Sequence, residues 1–143
     1  MTLLAARCDC GHAVRPPAKG AQPMDPSLAR KLLAAVRLVN GVLGLLAPSF
    51  LLRRLGTDPA VDRSGYYPFR MFGVRTIVIG ADLLLLQGEQ RRRAVRLAVL
   101  IHASDTVSAA TAGLRGDLPR KPAVITTAIS ATNTALAIIA TRE

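Results

Sequence analysis

The chain has 143 residues, enough for one domain of ordinary size. Half of it is hydrophobic, only 3% is aromatic, Trp is absent, and the formal net charge is +10 at pH 7. So few aromatic side chains leave a soluble core without its usual large buried areas, and basic residues placed between apolar runs suit membrane flanks and speak against a nucleic-acid-reading face.

Residues 1–27 read as a flexible leader, because "RPPAKGAQPMDPS" is rich in Pro, Gly and small polar residues. Met24, ahead of "DPSLARKLL", is itself a sensible chain start. The leader is no signal peptide: "TLLAA" is too short for an apolar core, and Arg7 occupies the position before Cys8 where a small residue belongs. Cys8 and Cys10 have no third or fourth Cys to pair with, so no disulfide framework follows. With His12 they offer three ligands at C-x-C-x-H spacing, short of the four that a structural zinc takes, and no metal or cofactor is expected. Asp25 or Ser27 is placed to cap the helix that follows, with Pro26 in its first turn.

Four apolar segments fill residues 28–143, with helices expected at about 30–52, 69–88, 94–114 and 121–141. Each holds an apolar run of about 20 residues, the length that spans a hydrocarbon core as a helix. Pro48 is placed to kink or end the first. The connector from Arg53 to Pro68 is long and carries turn signals. "GEQRRR" and "RGDLPRK" are short and predict antiparallel neighbours. The expected fold is therefore all-α, a four-helix transmembrane bundle. A soluble bundle would show a charged stripe opposite its core, and these segments lack one. Tyr66, Tyr67, Phe69 and Phe72 stand at the entrance to the second segment as interfacial anchors would.

An even number of spans puts both termini on one side. Arg30, Lys31, Arg91, Arg92, Arg93, Arg96 and Arg142 on that side balance Arg53, Arg54, Arg63, Arg70, Arg115, Arg120 and Lys121 on the other. The leader's Arg7, Arg15 and Lys19 tip the termini to the cytoplasmic face of the plasma membrane.

The second segment, "FRMFGVRTIVIGADLLLLQ", keeps charges inside an apolar run. Arg70 stands at its entrance, while Arg75 and Asp82 lie seven apart on one helical face. The other segments carry Arg37 and Asn40, His102 and Asp105, and Asn133. Arg37, Asn40, Gly41 and Gly44 share a stripe, as do His102, Asp105 and Ala109, and Thr126, Ser130, Asn133 and Ala137. A charge at the bilayer centre costs about 2.5–3.5 kcal/mol. Two Arg and two Asp therefore favour turning inward to pair, with Arg75 pointing toward an aspartate and Asp82 away from lipid. Two uses of such a network stay open. Interhelical glue is worth only about 0.6 kcal/mol per contact; a binding pocket or proton-handling site is the other use. His102 and Asp105 have the spacing of an acid–base pair. No nucleotide-binding, zinc-protease or nucleophile motif is present, and no residue is assigned a catalytic role.

Arg70, Phe72, Gly73 and Arg75 form an R-x-F-G-x-R entrance to the second helix, and Asp105 sits in "LIHASDTVSAATAGL". In these features the chain resembles bacterial four-helix integral membrane proteins known only as a domain of unknown function, and more loosely the DoxX-like membrane proteins. The resemblance covers about residues 28–141 and implies a fold but no activity. The functional expectation is a small polytopic membrane protein serving as a non-catalytic accessory or interaction subunit. Its expected partners are the lipid bilayer and a second copy or another membrane protein, not nucleic acid. The alternatives are a membrane-embedded binder, proton-handling protein or enzyme for a small lipophilic molecule, and a soluble helical bundle with an anionic partner.

Overall fold

Asp25 opens the first helix. Its carboxylate accepts from the Leu28 N–H at 3.1 Å, and Pro26 takes a first-turn position where a missing N–H costs nothing. The structure, a computed structural model, describes residues 24–143. Most of the expected leader, with Cys8, Cys10 and His12, lies outside the described residues. Five helices follow in order: α1 (Pro26–Leu46), α2 (Pro48–Arg54), α3 (Tyr66–Leu85), α4 (Gly88–Arg115) and α5 (Arg120–Ala140). Among the described residues there is no strand.

The first expected helix, 30–52, is two helices. Pro48 has no N–H to continue α1, and its ring drives Ala47 out of the helical region to φ −129°, ψ 54°. The chain restarts as α2 with a bend of 105°. The third expected helix, 94–114, begins earlier, because "GEQRRR" is itself helical. Glu89 lies in the first turn of α4, where a negative charge suits the helix dipole, and pairs with Arg92 at 2.9 Å and Arg96 at 2.8 Å. Gly116 ends α4 in the left-handed conformation at φ 79°.

α1 packs most closely on α3, and α4 on α5; α1 also packs on α5, which joins the two hairpins. α3 and α4 share a two-residue link yet touch little. The α1–α3 contact is a backbone contact. A Cβ on Gly73 would lie 2.5 Å from Leu45 N and 2.7 Å from Gly41 O, and one on Gly41 would lie 2.9 Å from Gly73 O. Only hydrogen fits at either position.

The interior is mostly small, with Leu33, Leu52, Leu83 and Val95 as its larger aliphatics, and the exterior carries many large ones. Ala29, Ala34, Ala98, Ala109, Ala123, Ala137 and Ala140 are buried, while Val39, Leu46, Val78, Leu100, Val107 and Val124 are exposed. α4 and α5 are each long and apolar enough to cross a membrane, and α1 with α2 makes a third such stretch if the bent pair is one span. α3 has the length but carries three charges, Arg70, Arg75 and Asp82.

At one end, α3 leaves carbonyls that its own helix cannot satisfy. Arg30 of α1 donates through Nη1 to Leu83 O at 2.6 Å, and Arg91 of α4 donates through Nε to Leu86 O at 3.0 Å. Glu143 bridges the two arginines, at 2.7 Å from Arg30 Nε and 3.1 Å from Arg91 Nη1. This clamp ties the start of α1, the end of α3, the start of α4 and the end of α5. Its arginines are the ones that charge counting treats as membrane flanks.

Two predictions follow from these contacts. Gly73→Val should destabilise the fold by about 1–3 kcal/mol or more through overpacking, whereas Val39→Leu on the exposed face should not. Thermal unfolding in detergent checks this, and equal midpoints for the two variants would contradict the backbone contact. The clamp also sets a pH dependence. The Glu143 carboxyl is held below the ordinary glutamate range by the hydrogen bond from Arg30, then by the charges of Arg30 and Arg91, with burial opposing. A lowered folded-state value means the clamp's contribution is complete above the ordinary glutamate range and is lost as pH falls through that lower value. The unfolding midpoint of the native chain should fall in acid more than that of Glu143→Gln. Parallel acid profiles would refute the clamp.

Candidate functional site

Arg37 lies on the inner face of α1, four residues before Gly41, and its side chain is only 5% exposed. On the α3 side its stem meets Gly80, where an added Cβ would come within 3.1 Å of Arg37 Cβ. The guanidinium therefore runs across the interior toward α4. There Nε donates to His102 Nε2 at 2.9 Å, and Nη2 lies 2.8 Å from His102 Nδ1. A neutral imidazole has one unprotonated nitrogen, so one of these contacts is a hydrogen bond and the other a close approach. Arginine only donates, so the ring must be neutral: a protonated ring would set two cations in contact.

Asp105 Oδ2 lies 3.6 Å from Arg37 Nη2, with 44% of its side chain exposed. A direct charge-assisted hydrogen bond is about 2.7–2.9 Å long, so Asp105 neutralises Arg37 only in part. The remaining guanidinium nitrogen, Nη1, has no acceptor among the described residues. Every fully enclosed side-chain nitrogen or oxygen among them has a partner, so Nη1 borders open space.

That space is a cleft of about 570 Å³. Its inner end carries Arg37 and Asn40 from α1, Thr76 from α3, His102 and Asp105 from α4, and Asn133 from α5. Its walls are Phe69, Phe72, Ile125 and Ile129, and its mouth is formed by Leu51 and Arg54 of α2 with Leu118 of the α4–α5 turn. Asn133, 7% exposed, and Thr76, only 1%, also line it, and neither takes part in the side-chain hydrogen bonds that join the helices there. By contrast, Thr106 and Thr134 bond to each other between α4 and α5 at 3.2 Å.

The structure thus brings together Arg37, Asn40, His102, Asp105 and Asn133. It leaves out Arg70, Arg75 and Asp82. Arg70 and Arg75 are exposed, Asp82 is half-buried, and none has an ion-pair partner within 4.0 Å among the described residues. The expected pairing of Arg75 with an aspartate does not form. The inner face of α3 is taken by Gly73, Thr76, Gly80 and Leu83. Arg75 and Asp82 each precede a member of that stripe by one residue, which turns them about 100° away. Close backbone approach to α1 decides which face points in, and charge does not.

Three features of the site escape sequence reasoning. Thr76 is overshadowed by its charged neighbour Arg75; the α2 elbow that makes the mouth reads as the tail of one span; and Arg54 reads as a flank. Arg54 also lies over the Phe50 ring, 5.0 Å from its centroid. Among the described residues no group of His, Cys, Asp and Glu could hold a metal ion.

If His102 exists to hold Arg37, the two should be energetically coupled. His102→Leu alone should cost about 1–3 kcal/mol, since it strands a buried donor. Arg37→Leu with His102→Leu should cost less than the sum of the single changes. Unfolding of the single and double variants in detergent measures this, and simple additivity would contradict the contact.

No family model, curated protein or solved structure matches this chain.

Proposed function

We propose that the chain is a multi-pass membrane protein. In this reading α1 with its α2 elbow, α3, α4 and α5 form a four-helix transmembrane bundle whose inner cleft takes up a small amphipathic molecule from the lipid. Membrane residence is supported by an exterior rich in large aliphatic side chains over an interior mostly of alanine and glycine, with Leu33, Leu52, Leu83 and Val95 its larger members. A soluble bundle would invert that pattern. The plasma membrane is the proposed location, with the clamp end, where both α1 begins and α5 ends, on its cytoplasmic side.

Uptake of a ligand rests on one observation: the polar groups at the inner end of the cleft are not used up in holding helices together. Glue would spend Asn133, Thr76 and Arg37 Nη1 on interhelical bonds. Instead they face a volume within the range of small-molecule sites, about 300–1,000 Å³. This favours a binding role over that of a purely structural accessory subunit. The neutral His102 beside Asp105 has no free geometry for proton transfer, because Arg37 occupies the ring, so a catalytic step is not part of the proposal.

Two measurements test the reading. Cell fractionation with a carbonate wash should leave the protein in the membrane pellet; recovery in the soluble fraction would refute residence. Native mass spectrometry from mild detergent should show an added small-molecule mass that Asn133→Leu reduces. A bare mass for native chain and variant alike would refute uptake.

A further inference from the structure

Resting on that reading, we infer the chemical class of the ligand: an amphipathic monocarboxylate, with its carboxylate at the inner end of the cleft and its apolar chain toward the α2 mouth. The inner end is rich in unspent donors. Arg37 Nη1, the Asn133 amide and the Thr76 hydroxyl take no part in the side-chain hydrogen bonds that join the helices there, and Asn40 lines the same cleft. The Asn40, Thr76 and Asn133 side chains can also accept, so the group that discriminates is Arg37 Nη1, which only donates. One His102 ring nitrogen is taken by Arg37, and Asp105 sits half in the open. A guest oxygen suits that buried donor.

The charge inventory narrows the guest further. Arg37 is buried, its neighbour His102 is neutral, and its one anionic partner stands off at 3.6 Å. A second cation, Arg54, lines the mouth. The lining therefore carries two cations and one anion, a surplus of one positive charge, Arg37 and Arg54 less Asp105. A single carboxylate neutralises that surplus, and its two oxygens match the planar fork of a guanidinium and the amide of Asn133. A neutral carbonyl would satisfy a donor but leave the buried charge, and a dianionic phosphate would overshoot it. The walls then set the rest of the molecule. Phe69, Phe72, Ile125 and Ile129 are apolar and only the Ser108, Thr126 and Ser130 hydroxyls interrupt them, so most of the body between head and mouth is a hydrocarbon chain or ring.

The test compares dodecanoate with its methyl ester, binding each to the full chain in nanodiscs of neutral lipid. The ester keeps the hydrocarbon and the oxygens and removes the charge. The carboxylate should bind tighter by roughly tenfold or more, as expected for charge-assisted bonds to a buried guanidinium. Arg37→Gln should abolish the preference by weakening the carboxylate alone. Should that variant fail to fold, Thr76→Val and Asn133→Leu provide the check, each weakening the carboxylate more than the ester. Equal binding of the two probes by the native chain, or tighter binding of the ester, would overturn the monocarboxylate inference while leaving an amphipathic site in place. Binding of neither probe would overturn the inference, and a bare native mass beside it would take down the uptake reading as well.

Discussion

A buried guanidinium is an expensive thing to place in a bundle of alanine, and the structure is arranged around the cost of Arg37. Removing such a cation from water costs several kcal/mol unless partners replace the lost solvation. Here the replacement is partial. His102 supplies a neutral acceptor, Asp105 supplies charge at a distance, and one nitrogen is left facing the cleft. The fold does not offer Arg37 another direction. Gly41, Gly44, Gly73 and Gly80 let α1 and α3 meet backbone to backbone, and α3 closes that side of the arginine stem. Between α1 and α4 the contact is made by side chains, Arg37 with His102 and Asp105, and these line the cleft.

The ends of the bundle are handled differently from its middle. At the clamp end, Arg30 and Arg91 satisfy carbonyls at the end of α3, and Glu143 pairs with both. Polar groups are consumed there, and the adjoining pocket of about 220 Å³ is lined by arginines paired with Glu89 and Glu143. At the opposite end, the break at Ala47 turns α2 across the cleft mouth and brings Arg54 to its rim. One end carries the ion pairs and the other a short elbow.

Much of this was legible in the sequence, and the misses have physical causes. The helical character, the break at Pro48 and the cap at Asp25 follow from propensity, proline chemistry and side-chain capping, all of which act locally. Arg37, Asn40, His102, Asp105 and Asn133 were legible because each shares a stripe with small residues, and small residues mark the inner face. The same rule, applied to the second apolar segment, would have chosen Gly73, Thr76, Gly80 and Leu83 over Arg75 and Asp82. Reading charge as the inward signal put the emphasis one residue away, and one residue is enough to turn a side chain out. The clamp could not be read at all: Arg30, Arg91 and Glu143 are far apart in sequence, and their shared targets are backbone carbonyls, which carry no sequence signal.

The central claim is that Arg37, and not Arg75, is the interior cation and that a neutral His102 holds it. Solid-state NMR of the chain in lipid bilayers, with labelled arginine and histidine, measures this directly. The predicted result is a through-space correlation between the Arg37 guanidinium and a neutral His102 ring, with no such correlation for Arg75. A protonated His102 ring, or a ring that correlates with Arg75 in place of Arg37, would contradict the account.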